Sequence, residues 1–181
     1  MNGIIRSACS WSRIVRQTSS FCTKVSPSLC RKVDVQVGAS LQLNLAQVNV
    51  DVDIYTTVDN FEQIEIKSLW KNSNDAPTIF PLVTQQNNCI NVDVTTYEAK
   101  ESLQKFDVVM PGRWCNLSLK GGKGHVTIQS MKEANLGVIT NGGSVKLGEV
   151  RGNEASIDSK GGIVKASLVV LQISFFVAIS L

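Results

Sequence analysis

The sequence predicts an all-β fold: a single-domain β-solenoid, a parallel β-helix-like stack of short strands with Gly-Gly turns, preceded by an amphipathic basic leader. Three observations predict it. Apolar and polar residues alternate through most of the chain after residue 32, glycine pairs recur near the C-terminus at almost constant spacing, and no segment of comparable length has clear helical periodicity. A chain of 181 residues is long enough for one apolar core, and its length gives no reason to expect two.

Residues 1 to 32 contain no Asp or Glu, are rich in Ser, and lack the continuous apolar run of a secretory signal. Placed on a helix at about 100° per residue, residues 4 to 16 put Ile4, Ala8, Trp11, Ile14 and Val15 on one face and Arg6, Arg13 and Arg16 on the other. An apolar stripe opposite positive charge is what a mitochondrial import receptor and the matrix-directed potential select. Residues 1 to 32 are therefore read as a mitochondrial-type targeting leader, and the protein is expected in the mitochondrion. Pro27 and the serines beside it mark its boundary.

From Val33 the period is two. Val33, Val35 and Val37 are followed by Leu41, Leu43 and Leu45, then by Val48, Val50, Val52 and Ile54, and alternation returns at Ile64, Ile90 and Leu117. Side chains alternate across a strand, so each run has a buried and a wet face. Polar stretches at Lys71 to Pro77 and Thr84 to Asn88 read as loops, and Tyr97 to Phe106 is the one segment with a helical alternative. Residues 33 to 165 form the expected domain.

Gly121-Gly122, Gly142-Gly143 and Gly161-Gly162 recur at intervals of 21 and 19 residues, each followed by alternating apolar positions such as Val145 and Leu147. A second turn is expected inside the repeat at Gly148 to Asn153, with Gly152 and Asn153 at its corner. A unit of two short strands and two turns buries nothing alone and must stack on its neighbours. Gly121, Gly122, Gly142, Gly143, Gly152, Asn153, Gly161 and Gly162 are thus the expected structural turn residues. The glycines, Gly143 and Gly162 among them, are expected at positive φ.

Charge and chemistry narrow the function. Six of the 18 basic residues precede Asp34, so the other 12 face 15 acidic residues and the body is near −3. That is no surface for nucleic acid. Only Cys89 and Cys115 lie in the expected domain, with one histidine, His125, so no metal site or disulfide framework is expected and the two thiols read as buried and inert. Lys120-Gly121-Gly122-Lys123-Gly124 lacks the Gly-Lys-Ser/Thr ending of a phosphate loop. Asn49, Asp51 and Asp53 space like a calcium loop, but Ile54 and Asn60 stand where Gly and Glu are needed. His125 reads as a turn residue, and the Asn116-Leu117-Ser118 sequon matters only in the secretory route. No cofactor and no catalytic residue is expected.

After Lys165 no charged residue remains. For residues 166 to 181 three readings stay open: a short anchor giving weak membrane attachment through Ala166 to Leu181, a buried closing segment, or an end that truncates the stack. The function expected is a non-enzymatic binding or structural scaffold whose partner is a protein or a glycan. The alternative is a solenoid-based polysaccharide hydrolase using strand carboxylates such as Asp51, Asp53, Asp93 or Asp158.

The pattern of residues 142 to 157, Gly-Gly-x-Val-x-Leu-Gly-x-Val-x-Gly-Asn-x-x-x-Ile, is followed by Ser159-Lys160-Gly161-Gly162-Ile163-Val164 and preceded by Phe106-Asp107-Val108-Val109-Met110-Pro111. Over roughly residues 45 to 165 it resembles the adhesin family whose domain is the auto-transporter-adhesin-head, or GIN-type, β-solenoid. With its leader the chain looks most like the eukaryotic group called family with sequence similarity 185. The resemblance implies a right-angled stack of short strands, an adhesin-like role inferred from architecture, and no catalytic residues to carry over. Residues 1 to 32 fused to a fluorescent reporter should direct it to mitochondria, and replacing Arg6, Arg13 and Arg16 by Glu should disperse it; unchanged localisation contradicts the charge argument.

Overall fold

The computed structural model describes residues 28–70, 81–94 and 103–178, and among them every regular element is a strand. The helix of residues 4 to 16 and the loop Lys71 to Pro77 lie outside the described residues. The strands are β1 (Ser28–Asp34), β2 (Ser40–Asn44), β3 (Asp51–Thr57), β4 (Gln63–Trp70), β5 (Leu82–Gln86), β6 (Cys89–Asp93), β7 (Leu103–Pro111), β8 (Asn116–Lys120), β9 (Val126–Lys132), β10 (Leu136–Ile139), β11 (Val145–Asp158) and β12 (Val164–Ala178). Alternation decides which side of each strand faces the core. In β2, Leu41 and Leu43 are buried while Gln42 and Asn44 are exposed, and in β11 Val145 and Leu147 are buried while Lys146 is exposed.

All twelve strands join one sheet, in the order β1-β4-β7-β3-β9-β11-β10-β8-β2-β6-β5, with β12 paired to β11. Strand β11 is the pivot. Its first half pairs with β9 and its second half with β10, so the sheet divides there into two wings. Side chains from both wings, among them Val52, Phe106 and Val126 from one and Leu41, Leu117 and Leu136 from the other, share a single buried cluster.

Successive rungs lie parallel and in register, Val126 beside Val145 beside Val164 and Leu117 beside Leu136 beside Ala155. From β8 onward, contacts between neighbouring rungs, such as Asn116 Oδ1 accepting from Asn135 N, span 19 positions, while β2 and β3 reach β8 and β9 across 76 and 74. Like residues fall above like residues, which gives continuous apolar columns such as Ile90-Leu41-Leu117-Leu136. The expectation of an all-parallel stack is too uniform, however. The pairs β1–β4, β4–β7 and β5–β6 are antiparallel, so the sheet is mixed. Strands β5 and β6 need only a two-residue turn, with Asn87 at φ 53, where a parallel return would need a long crossover.

Three further expectations are corrected. Polarity makes Thr84 to Asn88 look like a loop, but Thr84, Gln85 and Gln86 belong to β5, whose exposed side simply carries polar groups. Within the segment Tyr97 to Phe106, residues from Leu103 are on β7, not a helix, and residues 97–102 lie outside the described residues. Strand β1 begins at Ser28, so residues 28 to 32 of the expected leader pair with β4.

The turn glycines divide by cause. Gly142 and Gly161 have φ values of +94° and +93°, the left-handed region that a Cβ disfavours. Gly143 and Gly162 do not, against expectation. They are glycine because a Cβ on Gly143 would overlap the carbonyl of Gly124, and one on Gly162 the carbonyl of Gly143. Gly122 is likewise closed in by the Val48 carbonyl and Gly152 by that of Ala134, while Asn153 is exposed where the β11–β12 register shifts. The expected break at Gly148 to Asn153 is absent: β11 is continuous there and changes partner, from β9 up to Arg151 to β10 from Ala155.

At two successive corners a buried hydroxyl closes the turn: Thr140 Oγ1 donates to the Gly143 carbonyl at 2.8 Å, and Ser159 Oγ donates to that of Gly162 at 2.6 Å. Gly121 occupies the Thr140 position one rung earlier, since Gly121 N and Thr140 N donate to the equivalent carbonyls of Ile139 and Asp158. The Gly121-Gly122 pair is therefore offset from the other two, which turns the 21-residue interval of the sequence into a 19-residue structural step.

Stability should follow this geometry. Leu147→Asp, which buries an unpaired carboxylate, should cost at least about 3 kcal/mol, and Gly143→Ala about 2 kcal/mol by forcing rungs apart. Lys146→Asp should stay within about 0.5 kcal/mol. Denaturant midpoints check it, and equal losses at positions 146 and 147 contradict an inward and an outward face.

Candidate functional site

After β7 the chain must reach β8 within Gly112 to Cys115. Four backbone hydrogen bonds fix that corner: Gly112 N donates to Thr57 O, Lys132 N to Gly112 O, Trp114 N to Lys132 O and Gly38 N to Trp114 O, at 2.8 to 3.2 Å. Cys115 is buried and anchors the end of the turn. Between these fixtures Trp114 is held at φ 56°, a left-handed conformation that is unusual for a bulky side chain. Strain of that kind costs on the order of 1 to 3 kcal/mol, persists only where the surroundings impose it, and often marks functional positions.

The result is an indole presented outward, 41% exposed. Its ring centroid lies 6.0 Å from that of Phe61 with the planes tilted by 45°, and the guanidinium carbon of Arg113 stands 5.9 Å from the indole centroid. A cavity of about 260 Å³ beside them is lined by Thr56, Val58, Phe61, Arg113 and Ser130 together with Lys132. Lys132 is held by Glu149 at 3.4 Å. Two aromatic faces and a guanidinium can stack a sugar ring or a planar side chain and fix an acceptor group by hydrogen bonding.

The carboxylates singled out for hydrolysis each accept a hydrogen bond. Asp51 Oδ1 accepts from His125 N at 2.8 Å, Asn49 Oδ1 from Lys123 N at 3.0 Å, and Asp158 Oδ1 from Lys160 N at 3.0 Å. The apparent calcium spacing at Asn49 and Asp51 is thus a pair of backbone clasps for the turn at residues 123 to 125. Asp93 accepts from the Asn44 amide at 3.2 Å. Asp93 and Asp158 sit on the same outward row but four strand spacings apart, about 19 Å, beyond the range of a glycosidic pair.

Asp53 and Asp107 lie side by side across β3 and β7 and share Lys105, at 2.8 and 3.0 Å. Burial raises the Asp53 pKa, but hydrogen bonding to Lys105 and its charge outweigh this and hold it below the usual carboxylate range. His125 is exposed, its Nδ1 against the Ser144 hydroxyl. Among the described residues no group of three or more His, Cys, Asp or Glu could hold a metal ion, and no helix is long and apolar enough to cross a membrane.

Phe61, Arg113 and Trp114 escape a reading based on period and motif. The only signal was a tryptophan two residues after the turn-forming Pro111-Gly112. Neither a family model nor a curated protein matches this sequence. Among solved structures, a proposed cell adhesion protein from Clostridium sporogenes aligns with a TM-score of 0.44 and 14% identity, covering 72% of this chain and 72% of that one. A proposed adhesin from Parabacteroides merdae aligns at 0.40 and 14%, covering 78% and 75%.

The fixed corner has a chemical signature. Burial pushes the Cys115 thiol up to about 12, so at pH 8 it is neutral as well as enclosed. Iodoacetamide at that pH should leave Cys115 unmodified in the native protein and alkylate it in denaturant, as read by peptide mass spectrometry. Rapid native labelling contradicts a closed corner.

Proposed function

We propose that this chain is a non-enzymatic binding scaffold, a short β-solenoid acting in mitochondria, which presents the corner of Phe61, Arg113 and Trp114 to a protein or glycan ligand. The observation that carries the reading is Trp114 itself. A bulky residue at positive φ, clasped by backbone bonds on both sides with its indole left in solvent, gives the corner a rigid aromatic anchor. The stack supports it, because hydrogen bonds between in-register rungs hold this corner without depending on a ligand. The solenoid description rests on the parallel rungs β2, β3 and β6 to β12, with β1, β4 and β5 added antiparallel at the margins. Its mitochondrial address rests on residues 1 to 32 alone.

Glycan and peptide arrays probed with the labelled full chain should show saturable binding. Trp114→Ala and Phe61→Ala should each weaken it at least about tenfold, with stability changed by no more than about 1 kcal/mol. Binding that both variants retain contradicts the assignment of the site. Chemical turnover of a bound glycan contradicts the scaffold reading.

A further inference from the structure

Among the described residues the sheet has three free edges, and they are not alike. Strand β1 pairs only with β4, and its free edge carries exposed Arg31, Lys32 and Asp34. Strand β5 pairs only with β6, spans five residues and exposes Thr84, Gln85 and Gln86. Short length and charge are the usual guards of an edge against pairing with another chain. Strand β12 is long and nearly uncharged: it spans 15 residues, pairs only with β11 among the described strands, and carries a single charged residue, Lys165, at its start.

The outward positions of β12 sharpen the contrast. Leu168 and Val170 stand beside Glu149 and Arg151 of β11, which form an ion pair at 2.6 Å. Where the inner rung presents charge, the outer rung presents two aliphatic side chains, 44% and 48% exposed. Inward-row Val164 is only partly buried against the core and Ala166 is exposed, so the apolar columns are open at this end.

We propose that β12 is a self-association edge, which pairs antiparallel with β12 of a second copy about a two-fold axis. The second copy is favoured by charge. The single charge of this edge, Lys165, sits at the start of β12, so antiparallel pairing sends the two lysines to opposite ends without like-charge repulsion, whereas docking on β1 would set Leu168 and Val170 among Arg31, Lys32 and Asp34. An antiparallel edge is also self-complementary, because the same row of N–H and C=O groups faces itself across the axis and the contact closes as a dimer. The pairing would cover the open columns and place the Leu168 and Val170 rows of the two copies side by side.

Sedimentation equilibrium of the full chain should give a monomer–dimer equilibrium in the micromolar range. Leu168→Lys combined with Val170→Lys should weaken the dimer at least about tenfold while leaving the circular dichroism melt in place, since both side chains are outward. Val58→Lys, on an exposed loop, should leave the dimer unchanged. Hydrogen exchange on the unmodified chain gives an independent reading: amide protection of β12 should rise with concentration, and that of β1 and β5 should not. A monomer at all concentrations, open-ended aggregates, a dimer that the double lysine variant leaves intact, or binding to neutral phosphatidylcholine vesicles in place of dimerisation would each overturn the assignment.

Discussion

The hydrogen-bond spacing between neighbouring rungs, about 4.8 Å, is the constraint on which the rest of this structure depends. At that spacing, equivalent residues of successive rungs must pack directly on one another. The apolar columns follow, and so does the glycine at each place where one rung crosses the carbonyl of the rung before it. Gly124, Gly143 and Gly162 form such a column, each closed in by a carbonyl of the rung before: that of Val50, Gly124 and Gly143 in turn. Thr140 and Ser159 then satisfy the carbonyls of Gly143 and Gly162 at corners that have no room for a further side chain.

Stacking equally orders the outer face, where the charges are arranged in short alternating ladders. Glu65 joins Lys67 at 2.8 Å and lies 3.9 Å from Lys32, while Lys105 links Asp53 to Asp107. Such exposed pairs contribute little individually. Lys105 matters more because it separates two carboxylates that the strand register sets side by side. Asp53 has its pKa depressed in the folded state, so its contribution is present above the unfolded carboxylate pKa and is lost as pH falls through the folded value. Lys105 has its pKa raised, chiefly by its bond to Asp53, and its contribution is present below the unfolded lysine pKa and lost at higher pH. Between those limits, around neutrality, the ladder is intact.

Much of the fold was legible because period two is a direct image of burial. Leu41 and Leu43, Val126 and Ile128, Val145 and Leu147 all face the core as their spacing implies. The corner spacing was less legible, since Gly121 looks like the partner of Gly142 but aligns with Thr140, and only the cross-rung hydrogen bonds reveal the offset. Strand β5 was missed because an edge strand with polar residues on its open side has no alternation left to read. The antiparallel margins were hidden for a related reason: a strand's pattern reports its faces and not its direction. Least legible was the candidate site: the left-handed corner of Trp114 recurs at Glu133 one rung on, and what sets Trp114 apart is the exposed indole that the corner carries.

The central claim is that rungs lie parallel and in register, with a 19-residue step. Methyl-to-methyl nuclear Overhauser contacts in a valine-labelled sample test it directly. Val126, Val145 and Val164 occupy one column, and the account predicts contacts from Val145 to both of the others. A pattern in which Val145 instead contacts residues a hairpin turn away in sequence, with none to Val126 or Val164, would contradict it.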